Sequence, residues 1–96
     1  MSLEISDEKK FWDMTDAFLQ QANTLSDSND VGRTAEALMY AAARFNTYLV
    51  ASSCKDRNDL KDDRESSEAI LREQFDKMLT SNFDDYVENY KIYTRD

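Results

Sequence analysis

The chain has 96 residues, 20 acidic against 12 basic, for a formal net charge of −8, and it contains no histidine. That length holds one hydrophobic core, so a single domain over 1–96 is expected, small enough to gain from burial shared with a second copy. The acidic balance excludes a nucleic-acid partner, because Lys and Arg supply the affinity for phosphate backbones; the missing histidine removes the usual general base and the imidazole ligands of zinc and di-iron sites.

Proline is absent and Gly32 is the sole glycine. The residues that punctuate strands and tight turns are therefore nearly missing, and the expected fold class is all-α: a small helical bundle of three main helices plus a short C-terminal helix. The first helix is expected over about 7–25. Ser6 is its candidate N-cap, Asp7 and Glu8 suit a helix N-terminus, and Phe11, Met14, Phe18, Ala22 and Leu25 recur at helical spacing. From Ser26 to Gly32 the chain concentrates Ser, Asp and Asn, whose short polar side chains compete for backbone hydrogen bonds. This stretch reads as a connection ending in a new cap at Asn29 or Asp30.

The second helix, about 31–53, carries Ala35, Leu38, Met39, Ala42, Leu49 and Val50 as its expected core stripe. Its opposite side holds Ala37, Tyr40, Ala41, Arg44, Tyr48 and Ala51, with Arg44 the only formal charge among them. A helix apolar all round is one that is covered all round. Ala37, Tyr40, Ala41, Arg44 and Tyr48 are therefore the candidate interface, the alanines allowing close approach and the Tyr-Arg-Tyr steps of four allowing the groups to stack. Asn46 falls near the centre of the core stripe. It is the candidate buried polar residue, expected to bond a neighbouring helix or a tyrosine hydroxyl and so fix register.

From Cys54 to Glu68 the chain is highly charged, with Leu60 its only large aliphatic residue. This segment is expected to be solvated and comparatively mobile. A third helix over about 59–80 draws on the pairs Lys61 with Glu65, Glu68 with Arg72 and Glu73 with Lys77, and on Ile70, Leu71, Phe75, Met78 and Leu79. A break is expected at Thr80-Ser81-Asn82, where Asn82 caps a last helix over about 83–93 with Asp84 and Asp85 in its first turn. Phe83, Tyr86, Val87, Tyr90 and Tyr93 mark its buried face. No internal repeat appears, and no heptad pattern is sustained beyond about two turns of any helix, which excludes a long coiled coil.

Tests for specific chemistry come out negative. One glycine cannot build a phosphate-binding loop. Asp27-Ser-Asn29-Asp-Val31-Gly32 superficially matches the start of a calcium loop, but position 5 would be Val31 and position 12 would be Leu38, so two oxygen ligands are missing. The pairs Asp62–Asp63 and Asp84–Asp85 diverge by about 100° on a helix and are explained by solvation and helix N-terminal placement. Lys and Arg interleave with the acids from Lys55 to Lys77, which breaks up any surface mimicking nucleic acid. Trp12, Phe11, Phe75, Tyr86 and Tyr90 at helical spacing read as core. Cys54, the single cysteine, has no histidine to activate it and no partner for an internal disulfide. No catalytic residue, cofactor or metal is expected. The opening MSLEISDEKK has no apolar stretch long enough for a secretory signal, and the most apolar run, Ala37 to Phe45, is interrupted at Arg44, so no membrane association and a cytoplasmic location are expected.

Three stretches, DEKKFWDMTDAFLQQAN, ALMYAAARFN and KMLTSNFDDYVENY, resemble a family of short bacterial proteins catalogued as a domain of unknown function. The likeness runs over residues 7–93, marked by Phe11-Trp12, by Tyr40 to Asn46 and by Asp84 to Tyr90. It implies a helical fold and brings no activity, substrate or catalytic residue with it. The residues themselves point to an interaction or adaptor protein that associates with itself as a dimer or with another protein. The alternative is a small-molecule binding module or an enzyme using carboxylates and tyrosines.

Overall fold

A computed structural model describes residues 5–94, with side chains from Asp7 onward. It contains α1 (Ile5–Ser26), α2 (Val31–Ser52), α3 (Arg57–Glu88) and α4 (Tyr90–Thr94), with no strand among the described residues. The fold is all-α, with three main helices and a short C-terminal one. The chain divides into two units, Met1–Tyr48 and Leu49–Asp96, each described below by itself.

In the first unit α1 begins at Ile5, ahead of the expected Ser6 cap, whose side chain lies outside the described residues. The two candidate caps between α1 and α2 divide the work. Asn29 Nδ2 donates to the Leu25 carbonyl at 2.8 Å and closes the end of α1, while Asp30 Oδ2 accepts from the Arg33 backbone N–H at 3.0 Å and opens α2. Gly32 sits inside that cap. A Cβ there would meet the Asp30 carboxylate at 3.1 Å, so the missing side chain leaves the capping oxygen room to turn inward. Thr34, one turn on, is the single buried residue described, at 8% exposure, with its hydroxyl donating to the Asp30 carbonyl at 3.1 Å.

In the second unit α3 starts earlier than the apolar pattern suggests. Asp56 adopts an extended backbone (φ −158°, ψ −177°) and its side chain accepts from the Asp59 N–H at 2.9 Å. The Asp59 carboxylate reaches back to accept from the Lys55 N–H at 2.9 Å, one residue ahead of the cap, so the two acids bracket the start of the helix. The charged segment is thus exposed, as expected, but helical from Arg57. Glu68 takes Arg64 at 3.0 Å and Arg72 at 3.4 Å, and Glu73 takes Lys77 at 3.3 Å; Lys61 with Glu65 is not among the ion pairs of the described residues.

The expected break at residues 80–82 is not there. With no proline or glycine to stop it, α3 continues to Glu88, and Asn82 donates from Nδ2 to the Met78 carbonyl at 2.8 Å instead of capping a new helix. Phe83, Tyr86 and Val87 consequently belong to α3, and α4 shrinks to Tyr90–Thr94.

The expected core stripes are also uncovered within each unit. Phe11, Phe18 and Leu25 on α1, Leu38 and Leu49 on α2 and Phe75 and Met78 on α3 are all exposed, and no apolar residue among those described is buried. Asn46 follows from this as a correction: it is exposed, because nothing in its unit packs on that side of α2, and its amide turns back to the Ala42 carbonyl of the same helix at 2.7 Å.

Removing either cap by Asp30→Ala or Asp56→Ala is expected to cost about 1 kcal/mol, roughly 4–8 °C in the thermal midpoint of so small a protein. Asp62→Ala, an exposed position outside both caps, should leave the midpoint nearly unchanged. Equal shifts for all three variants would contradict the cap assignments.

Candidate interaction surface

Along α2, Val31, Leu38, Met39, Tyr40, Phe45, Tyr48 and Leu49 are all exposed. Ala37, Tyr40, Ala41, Arg44 and Tyr48 are all exposed, the two tyrosines at 68% and 64%. The structure brings them onto one side of the helix, but the expected stacking of Arg44 on the rings is not formed. Tyr48 leans instead toward Phe45, centroids 6.4 Å apart and planes tilted by 34°. Ala37 and Ala41 also floor an open notch beside the α1–α2 connection, walled by Phe18, Ala22, Leu25 and Leu38.

The charges of α2 are few and confined. Arg33 pairs with Glu36 at 2.9 Å, and Arg44 is the only other charged residue on the helix. At 100° per residue, the three fall within about 80° of one another. The remaining circumference carries alanines, large apolar side chains, tyrosines and uncharged polar groups. On α1 the exposed pair Phe11 and Trp12 meets edge to face at 4.9 Å and 76°, a geometry that aromatic quadrupoles favour.

Two places could in principle do chemistry, and both are occupied structurally. Asp85 stands in the last turn of α3, where a carboxylate opposes the helix dipole. Three donors offset this: Asn89 Nδ2 to Oδ1 at 2.8 Å, Tyr93 Oη to Oδ2 at 2.7 Å, and the Asn89 N–H to the Asp85 carbonyl at 2.9 Å. Tyr93 stacks on Tyr86 at 4.2 Å, so the cluster ties α4 to the end of α3. The hydrogen bond to Asp85 pushes the Tyr93 hydroxyl above the ordinary tyrosine range, aided by partial desolvation, which suits an anchor and opposes a role as base. The sequence reading missed this hub, although Asp85, Asn89 and Tyr93 at steps of four were its visible signal.

Cys54 is the second. It is half-buried, with Sγ donating to the Val50 carbonyl at 3.3 Å and lying 3.9 Å from Asp63 Oδ2. Desolvation, then the charges of Asp59 and Asp63, push its thiol up. That is the reverse of what a nucleophilic cysteine needs. Glu68 moves the other way, held below the usual carboxylate range chiefly by the Arg64 hydrogen bond.

These features define a small helical protein whose exposed groups are suited to packing. Residues 11–87 match a family described as a protein of unknown function, DUF3144, and the chain belongs to that family. Comparison with curated proteins and with solved structures finds no match. Among the described residues no helix is long and apolar enough to cross a membrane.

The raised Cys54 thiol has a direct readout. At neutral pH it should react with iodoacetamide more slowly than a free model thiol, because less thiolate is present, and Asp63→Asn should speed the reaction by removing the negative charge beside the thiol. A wild-type rate equal to the model thiol's would contradict the assigned environment.

Proposed function

We propose that the protein acts by associating with itself, as a homo-oligomeric interaction protein in which a second copy covers the apolar sides of α2. The supporting observation is the uncovered apolar surface. Large side chains along α1, α2 and α3 are exposed, from Leu38 at 39% to Val87 at 76%. Fully burying such a side chain is worth about 1.5–3 kcal/mol, against a few tenths for each exposed ion pair. Nothing else among the described residues offers stabilisation on that scale.

A second copy is the economical occupant because each chain carries the same exposed apolar sides on α2. Ala41, at the edge of the candidate patch nearest the apolar side of α2, borders the contact, and the lone Cys54 goes with a cytoplasmic setting.

Static light scattering tests this. The wild type should give at least twice the single-chain mass of 11.2 kDa, and Ala41→Glu, which places a charge at the border of the contact, should shift the population toward single chains with lower thermal stability. A wild type that remains a well-folded single chain would overturn the proposal, whatever the variant does.

A further inference from the structure

With the bounds of α2 fixed at Val31–Ser52, its exposed side chains contain a regular seam. Val31, Ala35, Leu38, Ala42, Phe45 and Leu49 are separated by steps of four, three, four, three and four residues. This is the a/d spacing of two packed helices, sustained over about five turns of this one helix. The broader stripe read from the sequence had hidden it by omitting Val31 and Phe45 and including Met39 and Val50, so the expected limit of about two turns for any heptad pattern does not hold for α2. Seen down the axis, Arg33, Glu36 and Arg44 lie directly opposite the seam, and its immediate flanks carry no charge: Met39 and Asn46 on one side, Ala41 and Tyr48 on the other.

The seam is also self-complementary about position 40. Leu38 and Ala42 lie two residues to either side of it, Ala35 and Phe45 five, Val31 and Leu49 nine. Resting on the self-association proposed above, we infer that α2 pairs antiparallel with α2 of a second copy, in the register that sets Leu38 against Ala42 and Ala35 against Phe45. Every inner layer then joins one large and one small side chain. A parallel pair would stack alanine on alanine at 35 and 42 and phenylalanine on phenylalanine at 45, leaving voids in two layers and crowding a third. Antiparallel pairing also sets the two helix dipoles in opposition. Of the candidate patch, Ala41 and Tyr48 flank this contact, as does Asn46, whereas Ala37, Tyr40 and Arg44 fall outside it on or near the charged strip.

Disulfide trapping in a Cys54→Ser background reads the register. Positions 35 and 45 are about 15 Å apart along their own helix, too far for an internal bond, since disulfides need Cα atoms within about 7 Å. In the proposed register each faces the other across the pair. Ala35→Cys with Phe45→Cys in one chain should therefore give covalent dimers on mild oxidation. Either substitution alone should not, because like residues would also stand about 15 Å apart. Dimers from the single variants would mean parallel pairing, and no dimers from any of them, with scattering still reporting an oligomer, would place the contact on another face; both overturn the register while leaving self-association standing. A single-chain wild-type mass would instead remove the self-association on which the register rests. Should Phe45→Cys itself prevent association, the swap decides: Ala35→Phe alone weakens association, and adding Phe45→Ala restores it only if the two positions face each other. Failure to restore it overturns the register.

Discussion

Helical hydrogen bonding is not what chiefly holds a 22-residue helix such as α2 in water, because nucleation is costly and most helical stability in proteins comes from packing of an apolar face. Apolar burial must supply the difference, and within each unit the chain does not supply it. Everything else in the structure is arranged around that constraint. The caps contribute about 1 kcal/mol each and the ion pairs of α3 a few tenths each. A handful of seam residues, once covered, outweighs all of these.

Local chemistry sets where each helix starts and stops. Asp30 and Asn29 define the connection between α1 and α2, Asp56 and Asp59 the start of α3, and Asp85 with Asn89 and Tyr93 its end. These devices give α2 the length on which its seam repeats. Charge does the complementary work. Arg33, Glu36 and Arg44 are kept to one strip of α2, which marks the side that stays wet and leaves the rest free to be covered. With a net charge of −8 on every copy, long-range repulsion opposes association and is screened by salt, so contact has to come from shape and burial.

The fold class was legible because the lack of proline and the single glycine leave helices as the only economical elements, and the cap at Asp30 was legible from its residue type. The helix boundaries in the second half were not. Thr80-Ser81-Asn82 looks like a stop, yet each of these residues can remain helical with its side chain bonded back along the chain, as Asn82 does to Met78. The start of α3 was masked by charge: Asp56-Arg-Asn-Asp59 is a capping pattern with acids at both ends, easily read as mere solvation. Asn46 was placed inside on the assumption that the stripe around it is covered within the chain. The wheel gives a direction, and only packing decides whether that direction is inward.

Thermal unfolding at protein concentrations spanning a hundredfold range is the most direct measurement. If folding draws its missing burial from a second copy, the midpoint rises with concentration, because mass action stabilises the associated state. A cooperative transition whose midpoint is the same at every concentration would contradict this, since it would mean that a single chain buries enough of its own apolar surface to fold alone.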